Sequence, residues 1–294
     1  MFEYEGCNPL ENAVHLEGTV GIAGSGKKSW KTANISTAAI LIATAGGARI
    51  VKAVSGATSS VCGSADMFRL LGSSPSHETH IVLEQLDKTG IGIVEIEHII
   101  PRFNSVYNGL FFAPHLLSLG LPALTIPFDV DSFCYGIAHP SVDLSRKVIE
   151  RYRPVDVTTV ACRVADHHWI DELTTIGVNK VSRSNSGPRP DTATVGDDVN
   201  GVVDKLQRCN DLERVNRLSG ASTAAAQREL LLGILHGTAD RELLNTVALN
   251  AALLIELATR RGFADCFDVA VSVIREGAAL ATLDRYVRLT KSAD

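Results

Sequence analysis

Short apolar runs alternate with breaks rich in glycine and serine through the first two thirds of the chain. Residues 20–23 run into the turn Gly24-Ser25-Gly26. Asn34, Ser36 and Thr37 open an alanine-rich run to Thr44, and Gly46-Gly47 closes it. Alanine is the strongest helix former, and Ser, Thr and Asn suit a first turn. The pattern predicts a strand, a glycine loop, a capped buried helix and a glycine stop. Residues 48–54 predict the next strand, 55–64 a second loop of small residues, and 65–71 the following helix. Two strand-loop-helix units in succession predict a parallel sheet with crossover helices.

Further on, the pattern predicts helix over 80–87, strand over 91–96, mostly helix over 105–119 and strand over 123–126. An amphipathic helix over 144–152 precedes a β-branched strand over 155–162 and a short strand over 176–181. Residues 184–200 are turn-rich and charged, as in a loop or domain junction. From Ala224 onward apolar residues recur at three and four, predicting helices over 230–235, 243–258 and 266–283. The fold class expected is α/β, a mostly parallel central sheet flanked by helices. The longest mostly apolar stretch, 38–48, falls short of the roughly 20 residues that span a bilayer.

Charge and composition narrow the function classes. The 294 residues hold 28 Lys+Arg and 33 Asp+Glu, a net charge of −5. A general nucleic-acid binder needs a basic field instead. Hydrophobic residues at 45% and charged ones at 21% are ordinary globular usage, and 5% aromatics leave no broad stacking platform. Six cysteines stand far apart with no CxxC pair, which reads as free thiols in a reducing compartment. The first residues lack the apolar core of a signal peptide. A cytoplasmic protein without membrane or nucleic-acid partners is expected.

Two segments carry candidate chemistry. Residues 21–27 fit GxxxxGK, but Lys28 stands where a P-loop needs Ser or Thr, and the helix starts only near Asn34. What remains is a glycine turn before a helix N-terminus, with Lys27, Lys28 and Lys31 beside it, a setting suited to a phosphorylated ligand. The second segment, after the strand ending at Cys162, contains His167-His168 and Asp171-Glu172. Strand C-terminal ends gather ligands in parallel sheets, and adjacent carboxylates suit Mg²⁺ together with substrate phosphates. The histidine pair does not make a zinc site, since sequence neighbours rarely ligate one metal together.

A family resemblance then emerges. Residues 24–37, Gly-Ser-Gly-Lys-Lys-Ser-Trp-Lys-Thr-Ala-Asn-Ile-Ser-Thr, resemble the GTGGDGxxTFNIST loop of anthranilate phosphoribosyltransferases without a gap. Lys52 followed by residues 59–66, Ser-Ser-Val-Cys-Gly-Ser-Ala-Asp, resembles that family's KHGNRxxSSxxGSAD. Asp171-Glu172-Leu173 is similar to its DE metal motif, and Leu249-Asn250-Ala251-Ala252 to its LNAA helix. The matches fall in family order from about residue 18 to 285. The resemblance implies transfer of ribose 5-phosphate from phosphoribosyl pyrophosphate (PRPP) to a nitrogen nucleophile, with Mg²⁺. It implies a PRPP site of Gly24, Ser25, Gly26, Lys27, Thr32, Asn34, Ser36, Thr37, Lys52, Ser60 and Ser64. Ser36, Asp171 and Glu172 would serve the metal ions, and no residue is implied as nucleophile or base.

The departures lie mainly on the acceptor side. Lys28 replaces an Asp of the family loop. Residues 53–56, Ala-Val-Ser-Gly, stand where the family has His-Gly-Asn-Arg. Leu116 aligns with the arginine that holds the anthranilate carboxylate, and an apolar side chain cannot replace a bidentate guanidinium. Arg102 is the nearby cation that could supply a new contact. The resemblance also implies a longer helical domain before the glycine loop. Residues 1–19 are therefore expected to be a remnant of it, joined by a helical insertion at about 98–120, with 20–294 as the phosphoribosyltransferase-like α/β domain. A homodimer, or a separate helical partner chain, is expected. The reading is a Mg²⁺-dependent phosphoribosyltransferase using a small aromatic or heteroaromatic acceptor other than anthranilate. The alternatives are a non-catalytic relative acting as a partner subunit, an anthranilate enzyme of tryptophan biosynthesis, and a nucleoside phosphorylase.

Overall fold

The computed structural model describes residues 2–26, 30–57, 61–107, 116–165, 167–184, 197–206 and 212–291. A short helix α1 (Phe2–Glu5) precedes β1 (Val14–Gly24), α2 (Ile35–Ala45), β2 (Arg49–Val54) and α3 (Ser64–Leu70). Then come α4 (Thr79–Thr89), β3 (Ile91–Glu95), α5 (Ile96–Ile99) and α6 (Pro101–Tyr107). A 3-10 turn at Leu116–Leu119 leads to α7 (Leu121–Leu124), β4 (Phe128–Gly136), α8 (Val142–Tyr152) and β5 (Asp156–Val164). Strands β6 (His168–Ile170) and β7 (Val178–Arg183) end the sheet. Helices α9 (Asp197–Lys205), α10 (Leu212–Asn216), α11 (Ala224–Leu235), α12 (Arg241–Thr259), α13 (Phe263–Glu276) and α14 (Ala278–Lys291) complete the chain.

Among the described residues the strands form one seven-stranded sheet in the order β3-β2-β1-β4-β5-β6, with β7 also on β5. The five strands β3, β2, β1, β4 and β5 are mutually parallel, while β6 and β7 run antiparallel to β5. The expected mostly parallel α/β fold is therefore present. Side chains alternate between two cores. Ile22, Ile50, Ile93, Cys134 and Val160 face one, and Ala23, Val51, Val94, Tyr135 and Ala161 face the other. That period of two, with both faces covered, is the mark of a buried parallel sheet.

Helix α2 is buried almost all round because α12 packs on its outer side. Alanines 38, 39 and 43 on α2 and 248, 251 and 252 on α12 are all fully buried, and small side chains allow close helix approach. Helix α12 is long and apolar enough to cross a membrane by length and composition, but most of it is buried against α2 and α13.

Several expected elements differ. Residues 123–126 are not a strand: Pro122 sits at the start of helix α7, a favoured place for proline. The strand is β4, just beyond, where Asp129 and Asp131 interrupt the apolar pattern. These aspartates face outward at the N-terminal edge, where Asp129 meets His15 Nδ1 at 2.8 Å and Asp131 accepts from Gly18 N–H at 2.7 Å. Strand β1 begins at Val14, six residues earlier than expected, and pairs with β4 from there. The expected 266–283 helix is two helices, because Gly277 at φ +66° closes α13 in the left-handed conformation. Of the expected 105–119 helix, residues 105–107 belong to α6 and 116–119 form the 3-10 turn; 108–115 lie outside the described residues. Helix α9 starts within the expected 184–200 loop, and residues 185–196 also lie outside the description.

Candidate functional site

The parallel register brings four strand ends to one edge: Gly24 pairs with Gly136, Ile22 with Lys52, and Val54 with Glu95. Ligands collect at such carboxyl ends. Here Gly24, Ser36, Lys52, Asp171 and Glu172 line one cleft of about 430 Å³, part of it open to solvent. Five of the residues expected from the sequence, drawn from the two loops and the carboxylate pair, are thus brought together.

The glycine loop is fastened on both sides. Ser25 N–H donates to the Gly136 carbonyl at 2.9 Å, and Ser25 Oγ accepts from Ala138 N–H at 3.2 Å. Gly26 N–H donates to Asp171 Oδ2 at 3.0 Å. Further along, Lys31 O accepts from Gly220 N–H at 3.0 Å, Ala33 N–H donates to Leu218 O at 2.9 Å, and Trp30 Nε1 donates to Ser219 Oγ at 3.2 Å. A chain segment some 190 residues later thereby frames the entry to α2. Lys27 and Ser60 lie outside the described residues.

The start of α2 contains donors without partners. Among the described residues, Thr32 Oγ1, Asn34 Nδ2 and Thr37 Oγ1 are buried with no hydrogen bond. Unsatisfied buried polar groups are rare and costly, and several in one six-residue segment suit a polar ligand or ordered water. Helix α2 also directs its positive end there. Beside it, Lys52, only 3% exposed, donates from Nζ to Ser36 Oγ at 3.1 Å.

The second loop is built on backbone donors. Asp66 Oδ2 accepts from Ala57 N–H at 2.8 Å and Gly63 N–H at 2.9 Å, and Ser64 Oγ accepts from Ser55 N–H at 3.3 Å. Gly56 N–H donates to Glu97 Oε1 at 2.9 Å, and burial raises the Glu97 carboxyl above its ordinary range.

The carboxylate segment is wholly buried from Asp171 to Gly177. Asp171 and Glu172 are 9% and 5% exposed, two adjacent carboxyl groups largely out of water. Both are oxygen donors, with the Ser36 hydroxyl in the same cleft. Among the described residues no cluster of three or more His, Cys, Asp or Glu is arranged to hold a metal. Mg²⁺ uses one or two carboxylates plus substrate phosphates rather than a full protein cage, so this donor set fits Mg²⁺ and not structural zinc. His168 packs its ring edge-on against Trp30 instead.

Among the cleft residues that the site expected from the sequence lacks, Gly136 and Asn250 shape the carboxylate segment. Gly136 ends β4 directly against Asp171, with no room for a side chain: a Cβ there would lie 2.0 Å from the Asp171 carbonyl oxygen. Asn250, on α12, binds the backbone beside the carboxylates. Its place in the Leu-Asn-Ala-Ala run was the available signal. Cys134 also lines the cleft, its thiol pushed up to about 12 by burial.

The acceptor-side residues are placed differently. The Arg102 guanidinium lies over the Tyr4 ring at 5.1 Å, on α1 rather than in the cleft lining. Glu5 of α1 accepts from the backbone N–H of Arg102 and Phe103, which caps α6. The backbone of Leu116 opens the 3-10 turn, and its side chain lies outside what the structure describes.

Comparison with known proteins adds the following likenesses. Residues 16–280 match the glycosyl transferase family, a/b domain. The anthranilate phosphoribosyltransferase of Xylella fastidiosa (strain 9a5c) is 27% identical over 298 residues, covering 99% of this chain and 80% of that protein. That of Ralstonia pickettii (strain 12J) is 29% identical over 298 residues, covering 96% and 77%. In structure, the chain is similar to anthranilate phosphoribosyltransferase from Thermus thermophilus, with TM-score 0.77, 23% identity, and 97% and 86% of the two chains covered. It is similar also to the Saccharomyces cerevisiae enzyme in complex with PRPP and Mg, with TM-score 0.75, 17% identity, and 96% and 77% covered.

Proposed function

The chain belongs to the glycosyl transferase family whose a/b domain spans residues 16–280, and from that membership we propose that it transfers ribose 5-phosphate from PRPP, with Mg²⁺, to a small nitrogen acceptor other than anthranilate. Its relatives are anthranilate phosphoribosyltransferases, so it is a phosphoribosyltransferase of that kind. The observation that carries the donor half is the cleft itself. A buried lysine and two buried carboxylates meet a helix start whose side-chain donors lack partners.

In the reaction the bond from ribosyl C1 to pyrophosphate oxygen breaks, and its electron pair leaves with pyrophosphate. The acceptor nitrogen gives its lone pair to C1 and afterwards loses a proton. Mg²⁺ held at Asp171, Glu172 and Ser36 would neutralise the departing pyrophosphate. Thr32, Asn34 and Thr37 offer side-chain donors to phosphate oxygens beside the glycine loop, and Lys52 adds a buried positive charge. Ser64, Ser25 and Gly26 keep the two loops in shape around the donor. Fixing donor and acceptor in line supplies much of the remaining acceleration, so no covalent nucleophile is needed.

The acceptor half rests on charge. Residues 53–56 lack the family's His, Asn and Arg, Leu116 is neutral, and Arg102 is occupied with Tyr4. Glu97 instead presents a carboxylate to Gly56. A carboxylated acceptor meets no cation from these residues, so a neutral or basic aromatic or heteroaromatic ring fits better. We place this activity in the cytoplasm, in a homodimer or with a helical partner chain covering α1 and α6.

Calorimetric titration of PRPP with and without Mg²⁺ tests the donor half. Micromolar, Mg²⁺-dependent binding is expected. Ser36→Ala and Glu172→Gln should each reduce turnover strongly, once pyrophosphate release from a panel of ring amines and heterocycles has identified an acceptor. Absence of binding in both conditions would overturn the proposal in favour of a non-catalytic partner subunit. Efficient release with anthranilate would overturn the acceptor half alone.

A further inference from the structure

We propose that Asn250 is a positioning residue that sets the place of the Asp171–Glu172 carboxylates through the backbone of Leu173; the metal part of this proposal rests on the transferase reading above. Asn250 lies on α12, 77 residues beyond Leu173. Its Oδ1 accepts from Leu173 N–H at 3.0 Å, and its Nδ2 donates to Leu173 O at 2.9 Å. Nδ2 also donates to Thr246 O at 2.8 Å, one helical turn back. The carboxamide therefore reads the backbone of Leu173 from both sides, as a neighbouring strand would, while anchored to its own helix.

The need for such a clamp follows from burial. Asp171 and Glu172 are adjacent and buried, so the place of their side chains depends on how the backbone that carries them is held. Loops cannot leave buried backbone groups unpaired, and Leu173 is fully buried. The rest of the turn has separate fastenings. Thr174 N–H donates to Asn179 Oδ1 at 2.9 Å, and Thr175 Oγ1 donates to Glu242 Oε2 at 3.1 Å. Removing the Asn250 amide thus loosens the carboxylate end of the turn while residues 174–177 stay docked. Asn250 lines the same cleft as the carboxylates, yet its polar atoms are spent on backbone, which makes it a support.

The test uses Asn250→Leu, a substitution of similar shape that removes all three hydrogen bonds. Two quantities are read: backbone amide exchange at Leu173, which needs no ligand, and the Mg²⁺ concentration for half-maximal PRPP binding by calorimetry. Leu173 should exchange at least tenfold faster while β5 amides keep their protection, and the half-saturating Mg²⁺ should rise at least tenfold. Asn250→Ser gives the same two readings if the leucine variant does not fold. Arg153→Met, which removes a buried support of the 126–128 backbone, controls for lost stability: it should lower Tm without moving the Mg²⁺ requirement. Unchanged exchange at Leu173 overturns the proposal, and so does faster exchange with an unchanged Mg²⁺ requirement. Should the unmodified protein bind no PRPP at any Mg²⁺ level, the transferase reading falls. The clamp is then decided by exchange alone, faster exchange supporting it and unchanged exchange overturning it.

Discussion

Replacing Gly136 by alanine should damage the site more than any other single methyl group added to the cleft. The new Cβ would stand 2.0 Å from the Asp171 carbonyl oxygen, 3.0 Å from its carbonyl carbon and 3.1 Å from its Cβ. Ordinary contact begins more than about 1 Å farther out. The obstructing atoms are backbone, so no rotamer change relieves them; either β4 or the carboxylate segment must move. Overpacking of this kind costs roughly 1–3 kcal/mol, and the rigid contact argues for the upper end. For a chain of 294 residues, with an unfolding entropy of about 0.6 kcal/mol/K, that lowers Tm by roughly 2–5 °C. A displacement of about 1 Å at a catalytic group can cost on the order of 100-fold in rate, about 2.7 kcal/mol of barrier. Scanning calorimetry and pyrophosphate-release kinetics on Gly136→Ala read both numbers. Gly24→Ala is a graded comparison, because its Cβ would meet Asp171 Oδ2 at 3.3 Å and lose less stability. A Gly136→Ala protein with native Tm and turnover within twofold of the original would refute the reasoning, since Asp171 would then have no fixed relation to β4.

Two further outcomes can be checked directly. The Cys134 thiol, pushed up to about 12, stays protonated and unreactive near neutral pH; iodoacetamide at pH 8 followed by peptide mapping should label exposed Cys7 and leave Cys134 unlabelled until denaturation. Rapid labelling of Cys134 in the folded protein would contradict its burial. His15 is held above the ordinary histidine value by its hydrogen bond to Asp129, with the charges of Asp129 and Asp131 adding to it. Its pairing therefore stabilises the fold at pH below the unfolded value of 6.5 and fades as pH rises through the raised folded value. A proton NMR titration should show His15 returning toward the ordinary value in Asp129→Asn, and an unshifted His15 would refute the pairing.

The glycine turn, the Asn-Ile-Ser-Thr helix start and the Asp-Glu pair were legible because each is a local pattern whose chemistry depends on neighbours in sequence. The strand-loop-helix alternation was legible for the same reason, since a period of two and a period of 3.6 are written residue by residue. Strand β4 was not. Its aspartates look like a loop until His15 and Gly18 of β1, more than a hundred residues away, are found beside them. Arg102 resembled an acceptor contact until α1 claimed its guanidinium.

By itself, then, the sequence determined the fold class, the glycine loop and the family, because hydrophobic period, turn chemistry and contiguous motifs act over a few residues. Only the tertiary structure decided that Gly136 must lack a side chain, that Ser219 frames the entry to α2, and that Asn250 grips Leu173. Those relations depend on how the sheet and α12 close on the carboxylate segment. A contact between residues 35 or 77 positions apart has no trace in the local pattern of either one.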